Sequence, residues 1–292
     1  MTRARHASRA QAARITSARR LCFAAAVALV AAFAAVMLVP RAAPSITTTT
    51  QPSDDPSGQT LPTTPPAGYQ PFFADNFTSS TLGSYWHEYS GDDFGVYNGQ
   101  AGTSWDPSHV TVGNGLLTLR TYKDPAHAGS NSPWVEGGVA LWPKSSLTYG
   151  EYLVRSRVTS AIGVTQVMTL WTDATWPPEI DFNESNGLNS SGATEWYNGA
   201  NGATQLQPGV PSGVDLTQWH TWGVITTPST ITFTVDGRTW ATMPNYVTTP
   251  THLTLQQMVW PCADPNESCP SASTPSEVDM QIGWVAVYSP VS

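Results

Sequence analysis

Three carboxyl side chains, Glu179, Asp181 and Glu184, stand within the six-residue segment Glu179-Ile180-Asp181-Phe182-Asn183-Glu184. Like charges held close resist joint ionisation, so at least one of the three pKa values is expected to rise, leaving one group able to donate a proton while another stays a carboxylate. Such a pair can open an acetal C–O bond: one carboxylate attacks the carbon and the other group protonates the departing oxygen, an arrangement that works at about 5–5.5 Å between the two. The same residues could instead form a solvated acidic strand edge or a calcium site. The choice turns on whether the backbone can bring all three to one exposed face.

Along a strand side chains alternate, so Glu179 and Asp181 share one face while Ile180 and Phe182 share the other. Strict alternation would send Glu184 to the apolar side, where an unpaired carboxylate is very costly. A one-residue bulge at Asn183 would reset the phase and put Glu184 beside Glu179 and Asp181. Trp171 and Trp176 lie just upstream, and Pro177-Pro178 stiffens the approach and cannot donate to a ladder. Aromatic faces beside carboxyls suit a sugar, whose C–H face stacks on indole.

The elements that must carry this segment read as all-β. Short runs rich in Val, Thr and aromatics are separated by Gly, Asn, Asp and Pro, without a helical period. Strands are expected at 149–158, 219–226, 229–235, 252–260 and 281–288, with a hairpin over 109–120 turning at Asn114-Gly115 and a second tight turn at Asp236-Gly237. More than ten short strands in about 220 residues point to one large sandwich or jelly roll.

Charge divides the chain. The first 43 residues hold seven of the thirteen basic side chains and no acidic one; the remainder has six basic against twenty-one acidic residues, an excess of fifteen negative charges. So acidic a body would repel phosphate backbones and anionic membranes, which excludes nucleic acid as a partner and favours a neutral one. Residues 1–43, Arg-rich and then apolar over 21–39, read as an export signal or a signal anchor. The rest of the chain is then expected outside the cytoplasm: extracellular, either secreted or held on the outer face of the cytoplasmic membrane. The Thr/Pro/Ser-rich stretch 44–69 reads as an extended linker, and 70–292 as the folded domain. Cys262 and Cys269 are expected to pair in an exported domain, two free buried thiols being the alternative. His220 could touch substrate or Asp181, or serve a structural role.

The segment resembles the Glu-x-Asp-x-x-Glu signature of glycoside hydrolase family 16, laminarinase-like branch. Phe73-Ala74-Asp75-Asn76-Phe77, the 110–120 hairpin, the 149–157 strand, Trp219-His220-Thr221-Trp222, the 231–237 run and Trp284-Val285-Ala286-Val287-Tyr288 follow in that family's order. The resemblance implies a concanavalin-like β-jelly roll with an open cleft on its concave sheet. It implies Glu179 as nucleophile, Asp181 as assistant and Glu184 as acid/base, with Arg155, Tyr97, Asn98 and Gln256 reaching substrate alongside Trp171 and Trp176. The implied activity is a retaining endo-glycosidase acting on a neutral polysaccharide, by default a β-1,3 or mixed-linkage glucan. A cell-wall transglycosylase and a non-catalytic carbohydrate-binding module are the alternatives on the same fold. A monomer without a cofactor is expected; the family's structural calcium draws on an Asp in the closing strand, and that position here is Gly283.

Overall fold

The computed structural model describes residues 55–92, 103–129, 132–174, 176–185, 193–197, 204–207, 214–259 and 270–292. The strands of its first half are β1 (Tyr69–Asp75), β2 (Trp86–Glu88), β3 (Gly91–Asp92), β4 (Ser104–Trp105), β5 (Val110–Gly113), β6 (Leu116–Lys123), β7 (Trp134–Leu141), β8 (Gly150–Val158) and β9 (Val164–Thr172). The second half adds β10 (Glu179–Glu184), β11 (Ala193–Tyr197), β12 (Thr204–Gln207), β13 (His220–Thr226), β14 (Thr230–Val235), β15 (Arg238–Pro244), β16 (Thr251–Val259) and β17 (Glu277–Pro290). Both expected tight turns form, each with two successive positive φ values: 55° and 74° at Asn114-Gly115, 50° and 73° at Asp236-Gly237. Positive φ at both central positions matches the twist of a hairpin, and Asn, Asp and Gly tolerate it best. The expected export segment 1–43 and the expected pair Cys262 and Cys269 lie outside the described residues.

The strands build a β-jelly roll of two antiparallel sheets. In the first, β15, β14, β13, β8 and β17 lie side by side, and the long β17 pairs along its other edge with β1 and β6. In the second the order is β12, β11, β10, β9, β16, β7, β2. Strand β7 also pairs with β6, joining the two. Met168, Leu170, Ile180, Phe182, Leu253 and Leu255 of the second sheet and Tyr152, Val154, Trp222, Val224, Ile282 and Val285 of the first belong to one buried cluster. Its burial is the main driving force holding the sheets face to face.

One expectation about the chain's organisation is overturned. Residues 55–68, expected as part of a mobile linker, form a strap seated on the outer face of the first sheet. Ser57 is buried. Its carbonyl accepts from Arg155 Nη2 at 2.9 Å, and the Gln59 carbonyl accepts from Trp284 Nε1 at 2.8 Å. Leu61 packs with Trp284, Tyr69 and Leu153. Composition predicted a linker because the tract has few apolar side chains, yet much of its docking is made by backbone carbonyls, which composition does not register. A register shift between Ile282 and Trp284 lets Met280, Ile282, Val285 and Val287 all face the core while Trp284 turns outward to the strap.

Gly283, at that shift, is the position where an Asp would be needed for the structural calcium. A Cβ on it would fall 2.5 Å from Ser57 Cβ, and the aliphatic stem of Arg155 is 3.7 Å away. The strap fills the space, and the Arg155 guanidinium that holds the Ser57 carbonyl borders it. Gly283→Ala is therefore expected to push Ser57 off β17, costing about 1–3 kcal/mol by overpacking. A lower midpoint in urea and faster proteolysis within 55–61 would record it; an unchanged cleavage rate would argue against the seat.

Candidate active site

Strand β10 contains the irregularity its sequence demands. Against β9, Glu179 pairs with Trp171 and Asp181 with Thr169, the register then slips, and Asn183 and Glu184 pair with Met168 and Val167. The unpaired extra residue is Phe182, so Phe182 and Asn183 together oppose Met168. Paired residues of neighbouring antiparallel strands share a face. Trp171, Thr169 and Val167 alternate on the side of β9 away from the core, so Glu179, Asp181 and Glu184 all stand on that side too. Phe182 enters the core, and Asn183, also buried, accepts from Gln166 Nε2 at 3.1 Å. Each bulge side chain is thus satisfied on the interior side, and the motif reverses phase without burying an unpaired carboxylate there.

The same alternation lays out the face of the second sheet that points away from the core in rows across the strands. Glu179 is followed by Trp171 and His252, Asp181 by Thr169, Thr254 and Ala140, and Glu184 by Val167, Gln256 and Gly138. Gln256 therefore lies on the face of the carboxylates, in line with Glu184. Gly138 leaves room for two rings: a Cβ there would come within 2.6 Å of Tyr89 and 2.8 Å of Trp105, which meet edge to face at 5.2 Å. Glu136, further along β7, is buried and accepts from Val259 N at 2.6 Å, holding the end of β16.

Trp176 donates its indole N–H to Glu179 Oε2 at 2.9 Å. Asp181, only 3% exposed, has its pKa raised well above the ordinary carboxylate value, first by burial and then by the charges of Glu179 and Glu184. A hydrogen bond with Glu179 works in the same direction, because a neutral Asp181 can donate to it. The pKa that must rise in a carboxylate cluster is thus that of the central residue. Glu179 is left as the acceptor of two donors, and Glu184, 7% exposed, completes the cluster on the far side of the bulge.

Two expected site residues lie elsewhere. Arg155 is on β8 in the first sheet, on the outward-facing row, where it bonds Ser57, comes 3.7 Å from Asp236 Oδ1 and lies 6.0 Å from the Trp219 ring. His220 is on β13, with Nδ1 bonded to Asp236 Oδ2 at 2.7 Å and Nε2 to the Asp215 carbonyl at 3.1 Å. Arg155 serves the first sheet and the strap, and His220 the first sheet and its Asp215 and Asp236 loops; neither reaches the carboxylates. Tyr97 and Asn98 lie outside the described residues. Residues that sequence reasoning missed are His252, whose Nδ1 is 2.6 Å from Asp173 Oδ1, and Trp142, whose ring lies 6.2 Å from that of His252. Alternation from Gln256 alone would have put His252 on this face.

A jelly roll that gathers three carboxyl groups beside indoles on one sheet face has the makings of a glycoside hydrolase. The chain matches the model of glycosyl hydrolases family 16 over residues 98–285 and belongs to that family. Among solved structures, a native glycosidic hydrolase is 25% identical with a TM-score of 0.62, covering 75% of this chain and 96% of its own. The laminarinase catalytic domain of Thermotoga maritima MSB8 is 16% identical, TM-score 0.61, over 77% of this chain and 99% of its own. SCLam, a non-specific endo-β-1,3(4)-glucanase, is 20% identical, TM-score 0.63, over 79% and 95%. The last two likenesses speak for the fold. No curated protein matches in sequence.

Proposed function

We propose that the chain is an exported, retaining endo-glycosidase of a neutral polysaccharide, with β-1,3 or mixed-linkage glucan as its substrate class. The observation that carries this reading is the bulge that sets Glu179, Asp181 and Glu184 on one face, with Trp176 bonded to Glu179. In the first step the Glu179 carboxylate attacks the anomeric carbon. The bond to the leaving sugar breaks, and its oxygen takes the proton of Glu184. In the second step Glu184, now a carboxylate, removes a proton from water as that water attacks the anomeric carbon and frees Glu179. Asp181 keeps its own proton and, with Trp176, orients Glu179 by hydrogen bonds. The Arg-rich, then apolar N-terminal segment supports export, and the acidic body supports a neutral substrate.

Laminarin and mixed-linkage glucan are expected to yield a ladder of oligosaccharides with an early fall in viscosity, and the first product should keep the β configuration by NMR. Agar, carrageenan, galactan and mucin O-glycans complete the panel; the last is included because a structural neighbour, 17% identical, comes from a study of endo-acting O-glycanases that initiate mucin breakdown. Release from none of these would sink the catalytic reading. Release with the α configuration would sink the retaining one.

A further inference from the structure

The row that begins at Glu179 continues across the sheet as an aromatic stripe. Glu179 pairs with Trp171, Trp171 with His252, and the next residue on that face of the neighbouring strand is Trp142, just beyond the end of β7. The rings of Trp142 and His252 are 6.2 Å apart, and His87 closes on Trp142 from the other side at 6.0 Å. Three inter-strand steps separate Glu179 from Trp142, about 14 Å, a span longer than one sugar ring.

Trp142 is 42% exposed. Covering that surface with the C–H face of a sugar would take apolar indole area out of water, which is favourable. The histidine beside it is held in place: His252 is buried, and its Nδ1 is bonded to Asp173. Burial lowers its pKa, although Asp173 pulls the other way, so the ring is neutral with Nδ1–H given to the carboxylate. Nε2 is then a hydrogen-bond acceptor set within the stripe. No side chain of the row beyond Glu179 is a carboxylate, Lys or Arg. A flat apolar face with one fixed acceptor at its edge suits an uncharged sugar, whose C–H face covers the indole and whose hydroxyl donates to the imidazole.

We infer that Trp142 and His252 form a remote binding subsite for an uncharged sugar unit of the same chain that is cut at Glu179, making the enzyme selective for long substrates. This rests on the glycosidase reading and deepens it. The full chain is assayed on the glucan it cuts and on a short chromogenic glycoside. Trp142→Ala is expected to reduce the ratio of kcat/KM on long over short substrate about ten-fold, with KM carrying the change; Trp142→Tyr should recover most of it. In a Glu179→Gln background, affinity for an oligosaccharide series should climb with chain length until Trp142 is reached, and that last increment should vanish in Trp142→Ala. An increment or a long-over-short ratio that survives Trp142→Ala overturns the subsite and leaves the glycosidase standing. Absence of any glycan cut or bound by the parent proteins overturns both.

Discussion

Glu179→Gln is expected to abolish release of sugar from the polysaccharide, with a loss on the order of 10⁴-fold or more in kcat, as removal of a covalent nucleophile generally produces. The amide has almost the shape of the carboxylate, so it can still accept from the Trp176 indole, bonded in the parent at 2.9 Å. What it lacks is the charge that attacks the anomeric carbon. The fold should be retained, because Glu179 is partly exposed at the start of β10 and the core begins with Ile180. Glu184→Gln provides the contrast. Loss of a proton donor costs about 10²–10⁴-fold, and less on a substrate whose leaving group departs without protonation. Glu179→Ala with added azide separates the two roles further, since azide can enter the space of the missing carboxylate and give a glycosyl azide of α configuration. Steady-state rates of the purified variants on glucan and on an aryl glycoside test all three. Activity in Glu179→Gln within ten-fold of the parent would remove Glu179 from the chemistry.

How far the site could be read in advance depended on which physical signal each residue carries. The carboxylates were legible because a polar residue at the wrong parity is a contradiction that only a bulge resolves. The bulge includes Asn183, as expected, together with Phe182, which is the residue left unpaired against β9. Alternation could not tell which of two sheets a strand joins, and here Arg155 and His220 were misplaced. Their strands have the same pattern that β9 and β16 have, but β8 and β13 pair in the sheet that carries the strap. Strand pairing is a long-range property that no local window contains. The strap itself was missed for a related reason. Its anchors are Trp284 and Arg155, roughly two hundred and one hundred residues downstream by position in the chain, and the gap that receives Ser57 is the absence of a side chain at Gly283. Trp142 was overlooked because a Trp near the end of a strand has a core reading as good as an exposed one; only its ring contacts and exposure decide.

Asp181 should make the fold less stable as pH rises, and Asp181→Asn should remove that dependence. In the unfolded chain the carboxyl has its ordinary value, 3.8, whereas in the folded chain burial and the charges of Glu179 and Glu184 raise it well above that. A raised carboxylate pKa means that the folded state binds the proton more tightly, so the group's contribution is fully present below the unfolded value and is lost as pH rises through the folded one. Within that window the parent loses up to about 1.4 kcal/mol per pH unit relative to a variant without the group. Asparagine has nearly the same volume and no proton to lose. At pH 3 the two proteins should therefore differ little on account of this linkage, and as pH rises above the unfolded value of 3.8 the variant should become progressively more stable until the parent's Asp181 has ionised. Activity should move the opposite way: the amide introduced by Asp181→Asn could still donate to Glu179, but its N–H cannot follow the charge of Glu179 as the ester forms and breaks. Urea midpoints for both proteins from pH 3 to pH 8, plotted as a difference, measure the effect. A flat difference would mean that Asp181 titrates alike in both states. A rising one, with lower turnover, would mean that the fold keeps a destabilising carboxyl at the centre of the cluster because the chemistry on either side of it depends on its proton.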